Sequence, residues 1–124
     1  MFTLSASHRF MLYSQACDMR KSFDGLSGLV ENELGSNPRN GTVFVFINKR
    51  RDRIKLLHWQ ASGYTLYYKR LEGGTFELPT YDSSYSSIGL DYAQTVMLID
   101  GLSLHNIQRR KRYRSPEPVD ILSR

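Results

Sequence analysis

The sequence has one cysteine, Cys17, in 124 residues. A single thiol excludes an intrachain disulfide framework and a four-thiolate zinc site. A nucleophilic role would need a neighbouring base, which three scattered histidines do not supply, so Cys17 is expected to be a small packed thiol. Long apolar runs are missing too: Val43–Ile47 falls far short of the roughly 20 residues a helix needs to cross a bilayer. Residues 1–5 have neither the basic start nor the apolar stretch of a secretory signal, which makes a cytoplasmic protein without membrane attachment the expectation. His8, His58 and His105 lack the i, i+4 spacing of a helical zinc site, and Gly25 and Gly28 fit no phosphate-loop pattern. Asp18, Asp24, Glu72, Glu77, Asp82 and Asp91 fall mostly at expected caps and turns, where backbone hydrogen bonding accounts for them. No catalytic constellation emerges, and a non-enzymatic chain with no metal and no cofactor is expected.

What is present is ordinary in amount and uneven in placement. Hydrophobic residues make up 40% and charged residues 23%, which suits a folded protein of one core at this length. The net charge is +5, but residues 1–108 hold 11 basic and 10 acidic side chains, whereas residues 109–124 hold 6 and 2. The chain therefore reads as a single α+β domain over 1–108 followed by a basic tail over 109–124. The tail cannot bury apolar surface by itself and is expected to be flexible.

Strand signals occur at 10–13, at the β-branched and aromatic Val43–Ile47, at 54–59, at 64–69 and briefly at 75–78, stopped by Pro79. Phe23, Leu26, Leu29, Val30 and Leu34 recur at helical spacing, predicting a helix over about 22–34, started by Ser22 or Asp18 and ended by Gly35. Gly25 and Gly28 would weaken that helix, and close packing on a sheet is the expected reason. A second helix over 91–100 has Asp91 as its cap and is placed near a sheet edge; the Ser- and Tyr-rich 80–89 reads as a loop. The short connections between the later strands require hairpins, giving an antiparallel sheet of four to five strands with one helix on a face.

Basic residues cluster where a hairpin is expected. Lys49, Arg50, Arg51, Arg53 and Lys55 crowd one turn, and pairing of 54–59 with 64–69 would bring Lys69 and Arg70 to the same end of the sheet. Tyr64, Tyr67 and Tyr68 lie in that second strand and are candidate stacking faces beside phosphate-binding cations. A solvated turn with tyrosines covering a small sheet fits the same residues. The tail adds Arg109, Arg110, Lys111, Arg112 and Arg114, which can neutralise phosphates whatever the base sequence.

Three blocks carry a further signal: 18–26 (DMRKSFDGL), 43–57 (VFVFINKRRDRIKLL) and 67–76 (YYKRLEGGTF). In this order they resemble the TnpB-type accessory protein of a family of bacterial insertion sequences. It is usually encoded between another small frame and a DDE transposase gene, and is unrelated to the RNA-guided nuclease of the same name. The resemblance runs from about Phe10 to Tyr113 and leaves 115–124 outside. It implies a role assisting transposition, with no agreed catalytic residue or cofactor. It also marks Arg20, Lys21, Lys49, Arg50, Arg51, Arg53, Lys55, Lys69 and Arg70 as matching basic positions, adding Arg20 and Lys21 to the nucleic-acid-binding candidates. The expected partners are nucleic acid, DNA above all, and the transposase or a co-encoded accessory protein. A module that binds those proteins without touching DNA is the alternative.

Overall fold

A computed structural model describes residues 3–101; the basic tail expected over 109–124 lies outside the described residues. The elements in chain order are β1 (Phe10–Tyr13), α1 (Phe23–Asn32), β2 (Val43–Ile47), β3 (Arg53–Gln60), β4 (Gly63–Arg70), β5 (Ser87–Leu90) and α2 (Tyr92–Ile99). The strands form one sheet in the order β4-β3-β2-β1-β5. The fold is α+β, with a mostly antiparallel five-stranded sheet and two helices. The one parallel pair is β1 with β2, because the chain between them crosses over through α1 rather than turning back.

Every residue of β2 is apolar and buried. Alternation along the strand sends Val43, Val45 and Ile47 into one apolar cluster and Phe44 and Phe46 into another, so each face of the sheet needs a cover. α1 covers the Phe44 face with Leu26 and Val30, joined by Leu57 and Cys17. α2 covers the Val45 face with Leu98 and Ile99, rather than lying near an edge. Its first residue, Tyr92, meets the Phe10 ring of β1, and the Ile99 carbonyl accepts a bond from Lys69 of β4, so the helix crosses the sheet.

Two local expectations change. Thr75–Leu78 is not a strand: Phe76 is 1% exposed and plugs the Val45 face, while its N–H donates to the Arg51 carbonyl. The fifth strand lies instead in the segment that read as a loop, where Ile88 and Leu90 alternate toward the core opposite Leu12 and Phe10. Two apolar residues between serines and a glycine are too few to show a period.

The helix ends divide similarly. Asp91 accepts from the Gln94 N–H at 2.7 Å and the Gln94 side-chain oxygen accepts from the Asp91 N–H at 2.9 Å, a complete capping box. Ser22 occupies the cap position of α1 without a side-chain bond, and Phe23 is 43% exposed rather than on the buried stripe. Gly35, at φ +64°, ends that helix as expected. Gly25 is hemmed in by Lys21, whose Cβ would lie 3.1 Å from an added methyl, not by the sheet. Nothing crowds Gly28.

Two variants should therefore be more stable than the parent protein. Gly28→Ala should add about 0.5–1 kcal/mol by removing helix-opposing backbone entropy. In the β3–β4 hairpin, Ala61 and Ser62 both hold positive φ, +50° and +66°, the geometry for which Asn-Gly is favoured. Ala61→Asn with Ser62→Gly should raise the thermal midpoint by a few degrees; a drop in either variant would contradict the backbone account.

Candidate nucleic-acid interface

Because β1 and β2 run parallel, both end at the same rim of the sheet. The segment leaving β1 is tied there by the Cys17 N–H, which donates to the Ile47 carbonyl at 2.9 Å. This segment supplies Arg20 and Lys21 and leads into the N-terminus of α1, whose dipole adds positive potential. The β2–β3 turn supplies Lys49, Arg50, Arg51 and Arg53. The β3–β4 register then sets Arg70 opposite Arg53 and Lys69 opposite Ile54. One rim thus gathers Arg20, Lys21, Lys49, Arg50, Arg51, Arg53, Lys69 and Arg70 from three segments, two of which the hairpin pairing alone brings together.

Asn48 builds the turn. Its side-chain oxygen accepts from the N–H groups of Asp52 and Arg53 at 3.1 and 3.0 Å, and its amide donates to the Asp52 carboxylate at 2.7 Å. That amide bond holds the Asp52 carboxyl below its ordinary value, with Arg50 and Arg53 adding smaller pulls. Arg51 sits at φ +60°, where a side chain is strained. The bonds from the Arg51 N–H to the Asn48 carbonyl and from the Phe76 N–H to the Arg51 carbonyl hold it there.

Two cations on the rim have acidic partners. Arg20 pairs with Asp18 at 2.8 Å, and the Arg20 side-chain bond lowers that carboxyl to about 2. Arg70 pairs with Glu72 at 2.9 Å. Both pairs are open to water, so they add little stability and leave the cations exchangeable with another anion. Among the described residues Lys21, Lys49, Arg50, Arg51 and Arg53 form no ion pair.

Lys55 does not join this surface. Its position in β3 points it inward opposite Phe46, leaving it 5% exposed, and its ammonium donates to the Met19 and Lys21 carbonyls at 2.8 and 2.7 Å. A phosphate on the surface would compete with two fixed carbonyls for a charge that is already satisfied. Lys55 is a brace that draws the 19–21 segment onto the sheet, and its hydrophobic neighbours in sequence gave no sign of that partner. Lys69 is half-buried and spends its ammonium on the Ile99 carbonyl at 2.7 Å, a favourable place for a cation at a helix C-terminus.

The three tyrosines separate. Tyr67 packs on the α2 side of the sheet, and Tyr64 packs edge-on against Trp59 with ring centroids 4.9 Å apart, at the end of β4 away from the basic rim, where Arg39 lies 4.6 Å from the Trp59 ring centroid. Only Tyr68 lies on the basic rim, 48% exposed. The Lys55 ammonium is 4.6 Å from its ring centroid and Arg53 donates to its hydroxyl at 3.2 Å.

Elsewhere, Cys17 is buried with its thiol pushed up to about 11, mainly by burial, so it is not a ready nucleophile. His58 is 2% exposed, its ring 4.7 Å from that of His8, and among the described residues its Nδ1 has no hydrogen-bond partner. Among the described residues no group of three or more His, Cys, Asp or Glu could hold a metal, and no helix is long and apolar enough to cross a membrane.

Residues 8–109 match the family described as "IS66 Orf2 like protein". Two relatives from Sinorhizobium fredii are similar along most of their length. One, described as "Uncharacterized protein y4jC", is 32% identical over 102 residues, covering 82% of this chain and 86% of the relative. The other, "Uncharacterized protein y4hO", is 30% identical over 95 residues, covering 77% and 81%. No solved structure matches.

Two measurements test this geometry. Lys55→Met keeps the stem but strands two carbonyls, and should cost about 2 kcal/mol or more in denaturant unfolding; an unchanged midpoint would remove the brace. His58 is lowered from 6.5 first by burial and then by His8, so the unfolded chain binds its proton more readily than the folded one. This contribution to stability should then be full above the ordinary imidazole value and decline as pH falls below it, with His58→Gln flattening that decline.

Proposed function

Because the chain belongs to the IS66 Orf2-like family of insertion-sequence proteins, we propose that it is a non-catalytic accessory factor that binds DNA through the basic rim and so assists the transposase. The observation that carries this reading is the convergence of three chain segments on one rim with few carboxylates to balance them. Phosphate contacts need charge without base recognition, which such a rim supplies.

Arg51 sharpens the reading. A left-handed position is cheapest for glycine, and here it holds a cation on an exposed turn. Backbone strain kept for an exposed side chain points to a use for that side chain.

A second reading rests on a different feature, the place of β4 as the last strand of the sheet among the described residues. Eight residues of unbroken strand offer a ladder on which a segment of the transposase or a co-encoded accessory protein could add a strand. Co-purification in the presence of nuclease separates the two readings, since an association bridged by DNA disappears.

Titration of labelled element-end DNA at several salt concentrations tests the first reading. Affinity should be micromolar or tighter at low salt and fall as salt rises, with Arg50→Ala/Arg51→Gly/Arg53→Ala plus removal of 109–124 abolishing it. Arg51→Gly alone should weaken binding without lowering the thermal midpoint, because it relieves strain while deleting the charge. Absence of binding at low salt would discard the reading.

A further inference from the structure

We infer that Tyr68 is a stacking platform for an unpaired base, and that the rim therefore binds single-stranded DNA in preference to duplex; this rests on the nucleic-acid reading of the rim. The ring is held in three ways. The Lys55 ammonium lies 4.6 Å from its centroid on one side, and that ammonium is itself fixed by the Met19 and Lys21 carbonyls. The hydroxyl at the far end of the ring accepts from Arg53 at 3.2 Å. The strand below sets its Cβ opposite Lys55 in the β3–β4 register. Lys55 stands over one face and Arg53 tethers the hydroxyl, yet Tyr68 is still 48% exposed, and the base would stack on the face opposite Lys55.

An aromatic on a protein surface ordinarily loses rotamer freedom when something stacks on it, and here the Lys55 and Arg53 contacts already restrict it. Cations lie beside the ring: Arg53, which bonds its hydroxyl, and Arg70, which sits opposite Arg53 and shares the ring's face of the sheet at the next register position. A flat apolar face among cations matches a nucleotide, whose base is flat and whose phosphates are anionic. Duplex DNA presents the phosphates but keeps its base faces stacked inside, so it can use the cations and not the ring. Tyr64 and Tyr67 lack this combination, since one is packed on Trp59 at the far end of β4, where Arg39 lies over the Trp59 ring, and the other faces the core beneath α2.

The test compares a short fluorescein-labelled strand of mixed sequence with the same strand paired to its complement, using the full chain and anisotropy as the readout. The wild type should bind the single strand more tightly. Tyr68→Leu should lose about tenfold in affinity for the single strand, the low end of what one base–aromatic stack contributes, and leave duplex affinity and its salt slope unchanged. Tyr68→Phe keeps the face and loses only the Arg53 bond, so it should stay within about twofold of wild type. Equal losses for strand and duplex in Tyr68→Leu, no loss in either, or a Phe variant as weak as the Leu variant would each overturn the inference while leaving phosphate binding by the rim intact. Failure of the wild type to bind either form would instead remove the nucleic-acid reading itself, and this inference with it.

Discussion

A strand with no polar side chain and no exposed residue, Val43–Ile47, sets the terms for the rest of the molecule. Its side chains alternate between two faces, so neither face can be left to water. Burying one large apolar side chain is worth about 1.5–3 kcal/mol, which makes an uncovered face costly on the scale of a domain's whole stability. The crossover through α1 covers one face and makes β1 parallel to β2, and the late helix α2 covers the other. The parallel pair then has a consequence for the surface. Two strands end at one rim, the segments leaving them emerge side by side, and the cations they carry are concentrated there, in the place where sheets with crossover connections generally offer a crevice for ligands.

Lys55 links that interior to that rim. A lysine in a buried strand is expensive unless its charge is satisfied, and here two backbone carbonyls and an aromatic face satisfy it. The same three contacts fix the approach to α1 and hold Tyr68 in place. An apolar residue would pack there with less risk, so the ionised side chain is best understood through what it positions. Removing it should loosen the 19–21 segment and the tyrosine together, which couples the brace to the rim.

Much of this was legible in the sequence wherever one residue pattern dictated one outcome. The unbroken apolar run of β2, the capping signal at Asp91, the glycine ending α1 and the short hairpin connections each follow from local chemistry, and the meeting of Arg53 with Arg70 follows from the hairpin. Family membership was legible in the three blocks around 18–26, 43–57 and 67–76, and the match over residues 8–109 agrees. What was not legible depends on partners distant in sequence. Lys55 looked like one more cation of a basic turn because its strand parity mattered less to the eye than its charge, and Met19 and Lys21 are more than thirty residues away. β5 exists because β1 offers it an edge, not because Ser87–Leu90 has a strong strand pattern. Phe76 looked like part of a strand when its task is to fill the core beside α2.

The end of α2 adds a last constraint. Lys69 holds the Ile99 carbonyl, and an added methyl on Gly101 would lie 3.8 Å from Leu71, so the described chain finishes against the strand end that carries Arg70. The sheet thus fixes both ends of α2, through the Phe10 ring at its start and the Lys69 ammonium at its close.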